Sequence, residues 1–304
     1  RQNMSSNEYQ PIAKQMSRLG VPIAAELIWG LPGDKLPDFE RNLDRLLATF
    51  PNINIFGYTL LPGTEFYRRR EEYMIEAVPV AGYGKAKGEY VVGCHSFDRE
   101  QGEEGYFLIS AHILLVHGHI MPLTTRMLAL RGEVPVSPLL RHILRALLAR
   151  FHSELTALDP QDRIAVYEQR DQVYLCALTH REALFHTIAA SLEEHFLAHG
   201  ADPRPALQVL QLDRALCPRM GAEHSIRETF SFDARGLHDR LAGMDLPATD
   251  HEADRHWSLD IHHPGGVGEI LHVADGGSWL RGVILENPGQ DQESTSAAQF
   301  VAIA

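Results

Sequence analysis

Apolar residues follow two rhythms along this chain, a helical one and a strand-like one, and their alternation predicts its first elements. Tyr9, Ile12, Met16 and Leu19 recur at helical spacing behind a capping box, Ser5-x-x-Glu8, and Gly20 supplies the stop. "VPIAAELIW" then runs apolar but for one acid, Glu26, the pattern of a strand covered on both faces, near 22–29. Pro37 opens a helix whose buried stripe is Phe39, Leu43, Leu46, Leu47 and Phe50. "INIFGYTLL", residues 53–61, predicts a second strand. It ends in Pro62-Gly63-Thr64, with Thr64 placed to cap the helix "EFYRRREEYMIEA". Helices of this length between strands predict βαβ crossovers and parallel pairing. In such sheets ligands sit at the carboxyl ends of the strands. Both glycine–proline bends, Gly30–Asp34 and Pro62–Thr64, lie there.

Residues 76–98 are rich in glycine and read as a loop with room for one short strand. From Arg99 to about Leu197 the pattern is helical, in the pieces "EEGYFLISAHILLVHGHI", "SPLLRHILRALLARFHSEL" and a long run that Gly200 closes. The tail changes again: "SIRETFSFD" and "WLRGVILE" predict strands with the helix "ARGLHDRLAGM" between them, and the last polar stretch is expected to fray. No internal repeat is present.

Composition narrows the class. The chain has 304 residues, enough for roughly two domains and a core that needs no disulfides. A net charge of -12 argues against a general nucleic-acid surface, because the one basic cluster, Arg68–Arg70, runs straight into Glu71-Glu72. Three scattered cysteines and no C-x-x-C predict a reducing, cytoplasmic setting. No apolar run is long enough to span a bilayer; the best, "YFLISAHILLVHGHIM", is broken by three histidines. No signal peptide is visible behind Arg1.

The Gly30–Asp34 bend is not a phosphate loop, since no Gly-Lys-Ser/Thr follows; a ligand-bearing turn and a plain connection both remain open. Cys94-His95, in the glycine-rich loop, places a thiol beside an imidazole, either for covalent or redox work or as a small core residue with a surface neighbour. The segments "VPVAGYGKAKGEY" and "HIMPLTTR" are positioned to close over a substrate or simply to connect elements. His195-x-x-x-His199 has metal-ligand spacing, but Glu194 precedes His195, the wrong order for H-E-x-x-H, and cations at a helix's negative end explain the pair without a metal. His112 and His119, seven apart, are expected to share a helix face that His117 does not, as surface or satisfied interior histidines. No metal ligand is assigned.

"ELIWGLPGD", a helix and then "INIFGYTLLPGTEFY" resemble the later half of a radical S-adenosylmethionine (SAM) enzyme barrel, more narrowly the members with an N-terminal cobalamin-binding domain. The resemblance is good over residues 1 to about 75 and weak beyond. It implies an α/β fold: the C-terminal half of a partial parallel β/α barrel at 1–95, a mainly helical domain at 96–215 and a small α+β tail at 216–304. The family's Cys-x-x-x-Cys-x-x-Cys, which holds its [4Fe–4S] cluster, is absent, as is a cobalamin domain. The chain is therefore expected to be a C-terminal fragment, inactive alone, whose partner is the missing N-terminal half carrying the cluster and cobalamin. Two apolar parallel strands with open edges also call for further strands beside them. By resemblance, Glu26, Ile28, Gly30, Leu60, Pro62 and Gly63 would line the SAM site, and Tyr58, Cys94 and His95 the site of a small-molecule or peptide substrate. Glu26 has a second reading as an acid hydrogen-bonded within the barrel, and Tyr58 as core. The activity implied is radical modification, such as methylation, of an unactivated carbon. The alternative is a non-catalytic half-barrel that binds or scaffolds a partner chain.

Overall fold

The computed structural model describes residues 6–19, 21, 23–80, 87–221, 224–246, 257–263 and 284–286. Among these residues the architecture is mixed α/β, with three small sheets set among helices. Ser5 of the expected capping box, residues 81–86 of the glycine-rich loop, residues 279–283 of the last expected strand and the polar end at 287–304 lie outside the described residues.

The first helix, α1 (Ser6–Arg18), leads into strand β1 (Ala24–Trp29). Helix α2 (Leu36–Leu47) follows, with proline in its first turn and Phe39, Leu43 and Leu47 buried, as the stripe predicts. Strand β2 (Asn52–Gly57) then pairs with β1 in parallel, Ala24 opposite Asn52 through to Trp29 opposite Gly57. This is the expected βαβ unit. Among the described residues β1 pairs on one side only.

The second expected strand, 53–61, is broken. Tyr58 ends β2, and Thr59–Leu60 (β3) turn into a different sheet. The cause is tertiary. The Tyr58 N–H donates to the Trp29 carbonyl at 2.7 Å, while the Tyr58 carbonyl accepts the Tyr106 hydroxyl at 3.1 Å. The region read as loop holds two strands, β4 (Glu76–Pro79) and β5 (Glu89–Gly93), and β5 lies antiparallel between β3 and β4. Between β3 and β4, Thr64 caps the short helix α3 (Glu65–Arg68), its hydroxyl accepting from the Tyr67 N–H, as expected.

The helical region starts at α4 (Arg99–His112), capped by a box between Asp98 and Gln101, and continues through a single π turn, Ile113–His117. Helices α5 (Pro122–Arg131), α6 (Val136–Arg150), α7 (Arg163–Glu168), α8 (Arg170–Thr179), α9 (Arg181–Ala198) and α10 (Arg204–Leu216) follow. Two helix starts are capped from far away in sequence. Asp44 on α2 accepts from the Val136 and Ser137 N–H groups at 3.1 and 2.9 Å, and Asp213 on α10 accepts from Leu123 and Thr124 at 3.1 and 2.7 Å. The tail is β6 (His224–Phe230), α11 (Ala234–Ala242), β7 (Trp257–His263) and β8 (Ile284–Glu286), with β7 between antiparallel partners.

Among the described residues one hydrophobic core runs from Trp29 to Ile261, continuous across the boundaries expected near 95 and 215. Helix α4 is its centre. Gly102 and Gly105 let it approach closely: a Cβ on Gly102 would lie 1.8 Å from the Val92 carbonyl oxygen, and one on Gly105 would lie 2.1 Å from Trp29 Nε1. Among the described residues no single helix is long and apolar enough to cross a membrane.

Candidate ligand-binding site

Period-two alternation gives the β1–β2 sheet two different faces. Ala25, Leu27 and Trp29, with Ile53 and Ile55, face the core beneath α2 and α4. Glu26, Ile28, Asn54 and Phe56 belong to the other face, in register as the pairs Glu26–Asn54 and Ile28–Phe56. Ile28 is 43% exposed and Phe56 49%, although parallel sheets are ordinarily covered on both sides. This open face offers two apolar side chains, a carboxylate and an amide.

The Gly30–Asp34 bend crowns the carboxyl end of the sheet. Asp34 folds back so that its Oδ2 accepts from the Gly30 and Leu31 N–H groups, at 3.0 and 2.9 Å. Burial raises the Asp34 carboxyl above its ordinary value, against those two hydrogen bonds. Gly30 and Gly33 both take positive φ, +104° and +107°. They differ in surroundings: a Cβ on Gly30 would press on the Val91 carbonyl at 3.3 Å, whereas one on Gly33 would meet nothing within 4 Å. Gly30 is thus shaped by packing, and Gly33 faces open space.

The Gly33 N–H donates to Ser96 Oγ at 2.9 Å, which ties the bend to the turn at Cys94–Phe97. Cys94 Sγ lies 3.1 Å from the same hydroxyl. His95 points elsewhere, its Nδ1 lying 3.3 Å from the Tyr73 carbonyl oxygen. Thiol and imidazole are adjacent in sequence yet serve different partners. From Tyr58 a run of rings follows the rim: Tyr58 on Phe66 at 5.9 Å, Phe66 on Tyr73 at 5.1 Å, Tyr73 on His95 at 5.9 Å. Burial raises the Tyr58 hydroxyl, with a hydrogen bond to Thr64 working against it.

Of the residues read from sequence, Glu26 and Ile28 share the open face, and Gly30 and Tyr58 meet at its carboxyl end. Cys94 is linked to that bend through Ser96, and His95 to Tyr58 through the rings. Pro62 and Gly63 are exposed in the second bend, where Gly63 takes φ +86° beside open space. Leu60 is fully buried in the core and presents no surface to a ligand. Sequence reasoning missed Asn54 and Phe56, although their alternation with Ile53 and Ile55 marks them as the opposite face. It also missed Ser96, whose role depends on a contact with Gly33 across 63 positions.

Cluster donors are lacking here. Cys94, Cys176 and Cys217 are free thiols; Cys217 is in the core, where burial pushes it up to about 12. Among the described residues no three His, Cys, Asp or Glu side chains converge to hold a metal ion. The paired histidines at the end of α9, His195 in its last turn and His199 just past it, have local partners, His195 Nε2 at 3.1 Å from the Pro135 carbonyl and His199 Nδ1 at 2.8 Å from the His195 carbonyl. No protein-family model matches the sequence, and no curated protein matches it.

Proposed function

We propose that this chain is the C-terminal part of a cobalamin-dependent radical SAM enzyme, and that β1 and β2 are two adjacent staves of its barrel. The carrying observation is the β1–β2 pair itself. It is parallel, backed by α2 and open on its other face. Ile28 and Phe56 lie nearly half exposed on that face, and β1 has an unpaired edge among the described residues. Open strand edges of this kind ordinarily receive another strand.

The open face suits SAM in its donor set. Ile28 and Phe56 form an apolar platform for a flat base, while Glu26 and Asn54 offer a carboxylate and an amide to ribose hydroxyls or an amino group. Bound SAM supplies the means to activate an unreactive carbon. This chain's residues bind and orient it, and the Tyr58–His95 rim screens one side from water. The described residues do not fit a [4Fe–4S] cluster, having no set of convergent thiols, and nothing in them marks a cobalamin site. Both groups belong, in this reading, to the N-terminal part of the same protein, and the substrate is a small molecule or peptide.

Reading the gene upstream of Arg1 tests the proposal. A continuous frame with Cys-x-x-x-Cys-x-x-Cys about a hundred residues upstream, on the order of the four missing β/α units, supports it. A frame without that motif refutes it and leaves the open face to a partner chain, as a binding module.

A further inference from the structure

At the amino end of β2 a small cleft is lined by Leu47, Phe50, three histidines, His112, His117 and His119, and Arg126 of α5. A helical irregularity places the histidines. Helix α4 passes into the π turn Ile113–His117, closed by the Gly118 N–H on the Ile113 carbonyl at 2.8 Å. In a regular helix, residues three or four apart are neighbours and those five apart diverge. The wider turn brings the His112 and His117 rings together instead, edge to face with centroids 5.1 Å apart. This reverses the sequence expectation, in which His119 and not His117 shared a face with His112. Gly118 permits the turn: a Cβ there would lie 2.3 Å from the Leu114 carbonyl oxygen and 2.6 Å from the Tyr174 ring. π turns of this sort are often found at functional sites.

Arg126 brings a positive charge into this cleft. It is 7% exposed, yet its hydrogen bonds go to neutral main-chain oxygens, from Nη1 to the Leu241 carbonyl at 3.1 Å and from Nη2 to the Pro51 carbonyl at 2.6 Å. Asp213 attracts it, but among the described residues the two form no ion pair, and the Asp213 carboxylate is turned to the Leu123 and Thr124 N–H groups. Buried charges are ordinarily paired. His112 adds an unmet donor. It is wholly buried and neither ring nitrogen has a hydrogen-bond partner. An imidazole carries an N–H on at least one of them, so a donor goes unmet whichever tautomer is present. His117, by contrast, is engaged by the main chain at Ile53.

Charge and room select the ligand. A guanidinium without an ion pair calls for one negative charge. The free space is about 30 Å³, room for a single-atom ion and too small for an organic acid or a phosphate. Leu47 and Phe50 make part of the wall apolar, and a doubly charged ion would carry a heavier desolvation cost there. We infer that this cleft binds one chloride ion, held by the Arg126 guanidinium and an N–H of His112. The ion joins α5 to the end of α4 beside the entry to β2. The site is separate from the open sheet face and does not depend on the SAM reading.

The test titrates the whole chain with sodium chloride, holding ionic strength constant with sodium gluconate, whose anion is too large for the cleft, and reads thermal unfolding. Crystals grown in sodium bromide locate the ion by its anomalous scattering. Chloride should stabilise the fold as a ligand of the folded state, raising the folded-to-unfolded ratio about 100-fold at 100 times its Kd. One bromide per chain should lie between Arg126 and His112. A hydrogen bond to an ion corresponds to about 10–100-fold in affinity, so His112→Phe, which keeps a ring and removes the donor, should weaken chloride by that factor, and His195→Gln should leave it unchanged. If His112→Phe does not fold, the chloride–gluconate comparison and the bromide position in the unaltered chain decide the matter. Equal stability in chloride and gluconate would overturn the proposal. So would water alone in the cleft under bromide, a bromide peak with no response in solution, which is binding at crystal concentration only, or an affinity that His112→Phe does not move.

Discussion

Gly105→Ala adds one methyl group to α4 and sets two effects against each other. Alanine in a helix interior is worth about 1 kcal/mol over glycine. Against this, the new Cβ would lie 2.1 Å from Trp29 Nε1 and 2.3 Å from Cε2. To reach an ordinary contact of 3.4 Å, helix and ring must separate by about 1.3 Å. The ring cannot give way, since Trp29 is fully buried between Phe39 at 5.0 Å and Phe97 at 4.8 Å. Overpacking of this kind costs about 1–3 kcal/mol. The shift also breaks the bond from Trp29 Nε1 to the Gly102 carbonyl, 3.0 Å long and buried, for about 1–3 kcal/mol more. The clash therefore wins, with a net destabilisation of about 1–5 kcal/mol. Urea unfolding followed by circular dichroism measures it. The penalty should shrink in a Trp29→Leu background, where the obstructing ring is gone. A Gly105→Ala protein as stable as wild type, or a penalty that survives Trp29→Leu undiminished, would refute the packing of α4 against β1.

Three other perturbations follow from the same structure. Asp34→Ala removes the acceptor for two N–H groups of the bend and should cost about 1–2 kcal/mol in urea unfolding, with Asp34→Asn costing less because it keeps one acceptor; equal stability of all three proteins would count against the bend. Burial raises the Asp213 carboxyl from 3.8 to about 7, so its charged form is disfavoured in the folded state: the contribution to stability is complete below about pH 3.8 and lost as pH rises toward 7. A shift of about three units corresponds to about 4 kcal/mol, so wild type should lose stability relative to Asp213→Asn between pH 4.5 and 7.5, and a gap independent of pH would refute the shift. Phe56→Ser, on the open face, should leave unfolding within about 0.5 kcal/mol of wild type yet abolish SAM binding in the complete gene product, read by equilibrium dialysis; a loss of several kcal/mol would mean the face is packed.

Local pattern was enough to place β1, α2 and β2 and to predict their parallel pairing, because the apolar runs and the proline at the helix start are short-range signals. It was not enough at Tyr58. That residue continues an apolar run, and only its carbonyl, taken by the Tyr106 hydroxyl and the Val91 N–H of other elements, shows that the strand ends there. Of strands β4 and β5 the glycine-rich stretch left room for only one, although Val91 and Val92 are wholly buried. The π turn has no periodicity of its own, which is why the sequence paired His112 with the wrong partner. In the candidate site, Glu26, Ile28, Gly30 and Tyr58 were legible as residues near a strand's carboxyl end. Leu60 was misplaced because the break at Tyr58 turns β3 toward the core.

The central claim is that β1 and β2 are part of a longer parallel barrel wall whose open face holds SAM. A structure of the complete gene product with SAM bound tests it most directly. The account predicts a further strand running parallel to Ala24–Trp29 along its unpaired edge, and SAM against Ile28 and Phe56. An antiparallel neighbour, an edge covered by a helix, or SAM bound away from that face would contradict it.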